Sequence, residues 1–226
     1  MASFLAHGHE YHLYTYDAVS NVPPGAVIKD ANEILPKSSI FKYRDHDSYA
    51  GFANCFRYKL LLERGGWWAD TDVICLRPFD FTTDHVFSSE SDGLAGFYAN
   101  NGVIKAPRGS KVMARAWDVC QSKNPALLVW GETGPGLMRQ IVTGNLSQYI
   151  QAPEIFCPLN LGDWNKMLEP GGVTINPASY SIHLWNKVWT LDNRQSKNAL
   201  YAPDCLYEQL KVKHLSQEFR RRLEAN

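Results

Sequence analysis

The segment Gly65-Gly66-Trp67-Trp68-Ala69-Asp70-Thr71-Asp72-Val73-Ile74 places two carboxylates, one residue apart, at the end of an aromatic and aliphatic run. In an extended backbone, residues two apart project to the same side. Asp70 and Asp72 are therefore expected to point together beyond the carboxyl end of a strand, where open α/β sheets bind ligands. Two like charges held that close need protons or a cation to neutralise them. Oxygen ligands suit Mg²⁺ or Mn²⁺, and Mg²⁺ is usually held by one or two carboxylates together with substrate phosphates. The chemistry implied is a metal–diphosphate site.

A second cluster, His7-Gly8-His9-Glu10-Tyr11-His12, has metal-ligating residue types without the spacing that sets two ligands on one helical face. It reads as a helix-to-strand turn. The five cysteines, Cys55, Cys75, Cys120, Cys157 and Cys205, form no CxxC pair, which argues against a zinc ribbon or a disulfide framework and for buried free thiols in a reducing compartment. The chain carries 23 basic and 23 acidic residues, so nothing marks nucleic acid as a partner. With 45% hydrophobic residues, 226 residues suffice for one domain with a substantial core. Seven Trp, eleven Tyr and ten Phe favour a carbohydrate or nucleotide ligand, because flat rings stack on both.

The elements that must position the carboxylates can be read in order. Ser3–Gly8 resembles the last turn of a helix, and Tyr11–Tyr16 a strand. A helix end without a helix start implies that a strand and most of a helix precede Met1, and that restoring them would raise stability and donor affinity. Val27–Lys29 reads as a short strand, followed by a helical turn ended by Pro36. Tyr49–Glu63 is a helix stopped by Gly65-Gly66, after which the strand bearing both aspartates follows. Val86–Ser88, Leu94–Tyr98 and Gly102–Lys105 read as strands. Ser110–Ser122, Gly136–Thr143 and Leu206–Leu223 read as helices. Alternating strands and helices in the first half imply an α/β sheet layered with helices. The basic tail Lys211–Arg222 reads as a solvated amphipathic helix, with contact of Arg220-Arg221-Arg222 to an anionic membrane as the minor alternative.

The stretch from Phe52 to Asp72 (a helix carrying Asn54-Cys55-Phe56-Arg57, the Gly-Gly stop, an aromatic residue, then Asp-Thr-Asp) resembles the sugar-binding region of DxD-motif glycosyltransferases. These are relatives of initiating α-mannosyltransferases, α-1,4-N-acetylglucosaminyltransferases and bacterial capsule or toxin glucosyltransferases. Asn101–Ile104, Thr133-Gly134-Pro135 and His183-Leu184-Trp185-Asn186-Lys187-Val188-Trp189 match further pieces in the same order, so the resemblance spans roughly residues 3 to 190. It implies a GT-A-like α/β fold, a mixed central sheet flanked by helices, with the first strand lying before Met1. It implies one glycosyltransferase domain over 1–226: a nucleotide-sugar-binding half at 1–110, and an acceptor-side half with a C-terminal helix at 111–226.

The same resemblance implies a UDP- or GDP-sugar donor, Mn²⁺ or Mg²⁺, and transfer with retention to a saccharide, lipid or protein acceptor in polysaccharide biosynthesis. The setting would be cytoplasmic, including the inner membrane face. Asp72 would ligate the metal, and Asp70 the metal or the donor's ribose and sugar. His183 would complete the metal shell. Asn54, Arg57, Trp68 and Asn101 would bind the donor, with Trp185 as a further flat surface. Glu132 is the only carboxylate near a matched motif that could serve as nucleophile, so same-face displacement is the favoured mechanism. The departure is Asn54, where relatives usually carry Asp: a hydrogen bond can persist there, but the charge is lost. Two rivals follow: an inactive sugar- or nucleotide-binding remnant, and a DxD phosphatase of the haloacid-dehalogenase type, which the position of the motif after two α/β units disfavours.

Overall fold

The computed structural model describes residues 1–91, 93, 96–191 and 195–224. Helix α1 (Ala2–Ala6) buries Phe4, and β1 (His12–Thr15) follows, paired in parallel with β2 (Val27–Asp30) from His12↔Val27 to Thr15↔Asp30. The Asp30 side chain then caps a single 3-10 turn by accepting from the Asn32 amide at 2.8 Å.

Helix α2 (Ala50–Arg64) buries Phe52, Cys55, Phe56, Tyr58, Leu60 and Leu61. Its stop is sterically enforced. Gly65 has φ +70, and a Cβ there would lie 2.5 Å from the Arg108 backbone nitrogen, so only glycine lets the chain turn against that loop.

The chain continues as β3 (Gly66–Ala69), β4 (Val73–Cys75), β5 (Val86–Ser91) and β6 (Phe97–Ala106). The expectation of one strand bearing both aspartates is corrected here. Residues 70–72 form a turn, closed by Val73 N–H donating to Asp70 O at 3.0 Å. The cause is a change of partner. β3 pairs antiparallel with β6 (Gly66↔Ala106 to Ala69↔Val103), whereas β4 pairs antiparallel with β7 (Ser181–His183). The chain must cross from one small sheet to the other, and it crosses at the two aspartates.

The two strands expected around residues 94–105 are likewise one, the ten-residue β6, central in the order β3-β6-β5. Leu94 and Ala95 lie outside the described residues. α3 (Lys111–Ser122) packs Val112, Met113, Ala116 and Cys120 inward, against the same core as α2. α4 (Pro135–Ile141) starts on a proline, whose missing N–H costs nothing in a first turn. The short α5 (Pro153–Phe156) and α6 (Asn186–Leu191) flank β7. The single helix expected over 206–223 is two, α7 (Leu206–His214) and α8 (Gln217–Glu224). Ser216 breaks it by accepting from the Phe219 amide at 3.2 Å, as a new N-cap. No helix among the described residues is long and apolar enough to cross a membrane.

Two hydrophobic cores flank β3. Trp68 packs toward the core of α2, α3 and α4, while Trp67 packs toward an aromatic core containing Phe4, Phe79, Phe156, Trp164, Trp185, Trp189 and Tyr207. The period-2 alternation of one strand thus joins both. All five cysteines are free and buried in these cores. The described strands fall into three small sheets rather than one. β1 and β3 are not hydrogen-bonded to each other. Between them lies an open cavity of ≈ 570 Å³, lined by Tyr11, Leu13, Tyr14, Phe56, Trp67 and Trp68 among others.

Candidate functional site

Asp70, Asp72 and His183 converge. Each offers one ligand atom, and these atoms lie within 4.8 Å of one another, the only such group of His, Cys, Asp and Glu among the described residues. Asp70 is fixed from both ends. Its amide donates to Gly102 O at 2.9 Å as the last bond of the β3–β6 ladder. Its Oδ1 accepts from the Trp68 indole at 2.8 Å and pairs with the Arg57 guanidinium at 3.0 Å. Asp72 is held by the segment after β7. Its carbonyl accepts from Leu184 N–H and its Oδ2 from Asn186 N–H, both at 2.9 Å, while Oδ1 lies 3.3 Å from His183 Nε2.

Gly102 leaves the space these groups face. A Cβ there would come within 3.7 Å of both Asp70 Oδ2 and His183 Nδ1. His183 Nδ1 is buried with no hydrogen-bond partner. An orphaned ring nitrogen and a spare carboxylate oxygen around a glycine are what a bound cation would satisfy. The mixed oxygen and imidazole set suits a divalent ion such as Mn²⁺.

Burial opposes ionisation of Asp72, yet the His183 ring and the Asn186 amide hold its carboxyl below the usual range. Burial also opposes charge on His183, but Asp72 and the Cys157 side chain raise its pKa well above the ordinary histidine value. Tyr11 is pushed up to about 12, mainly by burial and further by the fields of Asp70 and Asp72.

Arg57, read as a donor-binding residue, is only 4% exposed. It pairs with Asp70, donates to the Asn101 carbonyl, and lies 4.8 Å over the Trp68 ring. Trp68 is in turn engaged by Asp70 and Arg57. Asn54 and Asn101 are buried and paired with each other, Asn101 Nδ2 donating to Asn54 Oδ1 at 2.8 Å. Asn54 Nδ2 donates to the Thr133 hydroxyl at 3.3 Å, and the Tyr58 hydroxyl to Thr133 O at 2.9 Å. These residues form the floor beneath the carboxylates. Glu132 is not gathered with them: its carboxylate pairs with Lys123 at 2.6 Å and accepts from Val129 N–H.

Trp185 is 7% exposed, with its indole N–H donating to Leu159 O at 2.8 Å and its ring 4.1 Å from that of His183. Its φ of +53 is costly for a bulky residue and is what turns the Asn186 amide back onto Asp72. Trp185→Ala is expected to weaken Mn²⁺ binding about 10-fold or more, as loss of support around a metal ligand does. Trp185→Phe, which keeps a ring against His183, should lose less. Titration calorimetry on folded variants measures both, and unchanged affinity in the alanine variant would assign Trp185 to the core alone.

Sequence reasoning missed Glu90 and Asn100, and gave Asn186, though inside a matched motif, no role. Glu90 is held up in pKa mainly by burial. It accepts from Asn100 Nδ2 at 3.0 Å and feels the His183 charge. Asn100 Oδ1 also accepts from the Gly102 amide at 3.2 Å, tying Glu90 to the glycine between the ligands. The available signal was a pair of polar residues, Asn100-Asn101, inside an apolar strand. The histidines near the start form no metal group. His7 Nδ1 bonds Ser3 O, His9 Nε2 accepts from Phe79 N–H, and His12 pairs with Glu10.

Residues 5–90 match the family model described as a glycosyltransferase sugar-binding region containing a DXD motif. The chain is also 23% identical over 184 residues to a human alpha-1,4-N-acetylglucosaminyltransferase, an alignment covering 73% of this chain and 49% of that protein. The chain thus spans about half the length of this curated relative. Both findings support the resemblance to DxD glycosyltransferases read from the sequence.

Proposed function

We propose that the chain moves a sugar from a nucleotide-diphosphate sugar, UDP- or GDP-linked, to an acceptor with retention of configuration. The observation that carries this reading is the convergence of Asp70, Asp72 and the unpartnered His183 Nδ1 around Gly102, at the end of β3. These three residues would hold Mn²⁺ or Mg²⁺. Such an ion supplies neutralisation of the negative charge that grows on a diphosphate leaving group.

The chain's own residues do the rest. Arg57 fixes Asp70 in one orientation and compensates part of its charge. Leu184 and Asn186 do the same for Asp72 through their amides. Gly102 keeps the approach clear for phosphate oxygens. Glu132, the carboxylate nearest a matched motif, is bound to Lys123, which favours same-face displacement. A second reading, a binding remnant without turnover, has one observation behind it. Asn54 is uncharged and wholly engaged with Asn101 and Thr133, so it offers a donor sugar little unless that network rearranges.

Calorimetry with Mn²⁺, with and without UDP or GDP, tests the proposal. Mn²⁺ alone is expected to bind weakly, because few protein ligands are available, and the nucleotide should tighten it by completing the shell. Protons compete for His183. A ring whose pKa is raised stays charged further up the pH scale, so affinity should climb as pH rises from about 6 through the raised value. Tight nucleotide-independent binding that survives Asp72→Ala, or no nucleotide effect at all, would reject the metal–diphosphate reading. Assay of sugar transfer then separates the enzyme from the remnant.

A further inference from the structure

We infer that the acceptor is a saccharide, received on the exposed face of Trp130. This rests on the donor-site reading above and goes beyond it to the second substrate. Trp130 is 42% exposed, a large indole surface left facing solvent. A ring so exposed is ordinarily free to turn, but this one is held. The Tyr43 ring lies 5.2 Å away at 41°, and the His46 ring 5.0 Å away at 68°.

The loop carrying Trp130 is braced from within. Glu132 N–H donates to Val129 O at 3.1 Å, and Gly131 O accepts from the amides of Gly134 and Gly136 at 3.0 and 3.1 Å. The Glu132 carboxylate closes the loop by taking Val129 N–H and pairing with Lys123. This is where the acidic residue near the Thr-Gly-Pro motif spends its charge. A surface aromatic fixed in advance loses little entropy when a ligand docks on it.

The loop is also fixed relative to the two aspartates. Thr133 is fully buried, its hydroxyl bound to Asn54 and its carbonyl to Tyr58, both on α2 one turn or less from Arg57, which holds Asp70. On the other flank, Lys187 Nζ donates to Asp47 O at 3.1 Å. That contact ties the segment bearing His46 to the start of α6, whose Asn186 amide holds Asp72. Trp130 and His46 therefore share supports with both carboxylates.

The chemistry of this rim selects the ligand. A pyranose presents a flat C–H face that fits against an indole, ringed by hydroxyls that need polar partners. Next to Trp130 stands the His46 ring, and the segment that bears it carries the exposed ion pairs Lys42–Asp47 and Arg44–Asp45. An acyl chain would gain nothing from these charges.

The test titrates methyl glycosides of glucose, galactose, mannose and N-acetylglucosamine, and their disaccharides, by saturation-transfer NMR and tryptophan fluorescence. At least one series is expected to bind, with ring protons saturated. Trp130→Ala should weaken that binding about tenfold, in the range of losing one stacked ring, and Trp130→Phe less. The circular dichroism spectrum and the Mn²⁺–nucleotide affinity should stay unchanged, showing an effect confined to the acceptor. Equal saccharide binding by wild type and the alanine variant would overturn the inference. So would no pyranoside binding at millimolar concentration alongside Trp130-dependent retention on phosphatidylglycerol vesicles. Absence of Mn²⁺-dependent binding of both UDP and GDP by the wild type would instead refute the donor reading, while the saccharide titration would still be decisive for Trp130.

Discussion

Asp72→Asn is expected to lower sugar transfer about 10²–10³-fold, the usual cost of losing one electrostatic contact to a transition state. Asparagine is nearly isosteric and can still accept from the Asn186 amide through its carbonyl oxygen, so the segment after β7 should stay in place. What disappears is the negative charge facing His183 and the space beside Gly102. The variant should therefore keep its circular dichroism and most of its melting temperature while its Mn²⁺–UDP affinity falls. Comparing initial rates with a UDP- or GDP-sugar under saturating Mn²⁺ measures the effect. Turnover within a few-fold of wild type would remove Asp72 from the role assigned to it.

Arg57→Met is expected to act on stability as much as on activity. The guanidinium is 5% exposed and its partner Asp70 is 24% exposed. Removing one member of a buried pair leaves the other charge uncompensated and typically costs about 3–5 kcal/mol. The partial exposure of Asp70 puts the loss near the lower end. The Asn101 carbonyl also loses a donor and Trp68 its stacked cation, so the methionine, although similar in length, repairs only the packing. Urea unfolding should show the drop. Adding Asp70→Asn should recover part of it, because the orphaned charge is then gone. A loss below about 1 kcal/mol, typical of surface ion pairs, would mean that Arg57 does not hold Asp70.

Much of this site was legible in the sequence. The helix ending at Gly65-Gly66 and the pair Asp70 and Asp72 stand together in the chain, so short-range rules reach them. What those rules missed is set by distant partners. The run from Gly66 to Cys75 reads as one strand because a pattern of period two cannot reveal that β3 pairs with β6 and β4 with β7. The aspartates are brought together by the turn that this change of partner demands, not by the pleat. The expected strands Leu94–Tyr98 and Gly102–Lys105 leave out Asn100 and Asn101. The structure buries both, since their side chains serve the site rather than the core. Arg57 looked like a residue reaching for a ligand. That it lies beneath Asp70 depends on Trp68 and Asn101 arriving from two other strands. His183 was identified from its resemblance to a family histidine, and nothing local marks it. The positive φ of Trp185 leaves no trace in composition at all.

The open seam between β1 and β3 has a mechanical consequence. β1 is hydrogen-bonded only to β2, a four-residue ladder, while β3, β6 and β5 share a three-stranded sheet with cores on both flanks. No backbone bond transmits load from one unit to the other; side chains such as Tyr14 and Tyr16, packed on Phe56 of α2, carry it. The parallel pair can therefore part from the molecule as its own cooperative unit, at a lower free energy than global unfolding. Amides of Leu13 and Tyr14 would trade their protons with solvent through that opening, while those of Val103 and Ile104 would wait for the whole fold to come apart. Tyr11, the residue just before β1, packs on Phe4 of the aromatic core and so marks the boundary of this division.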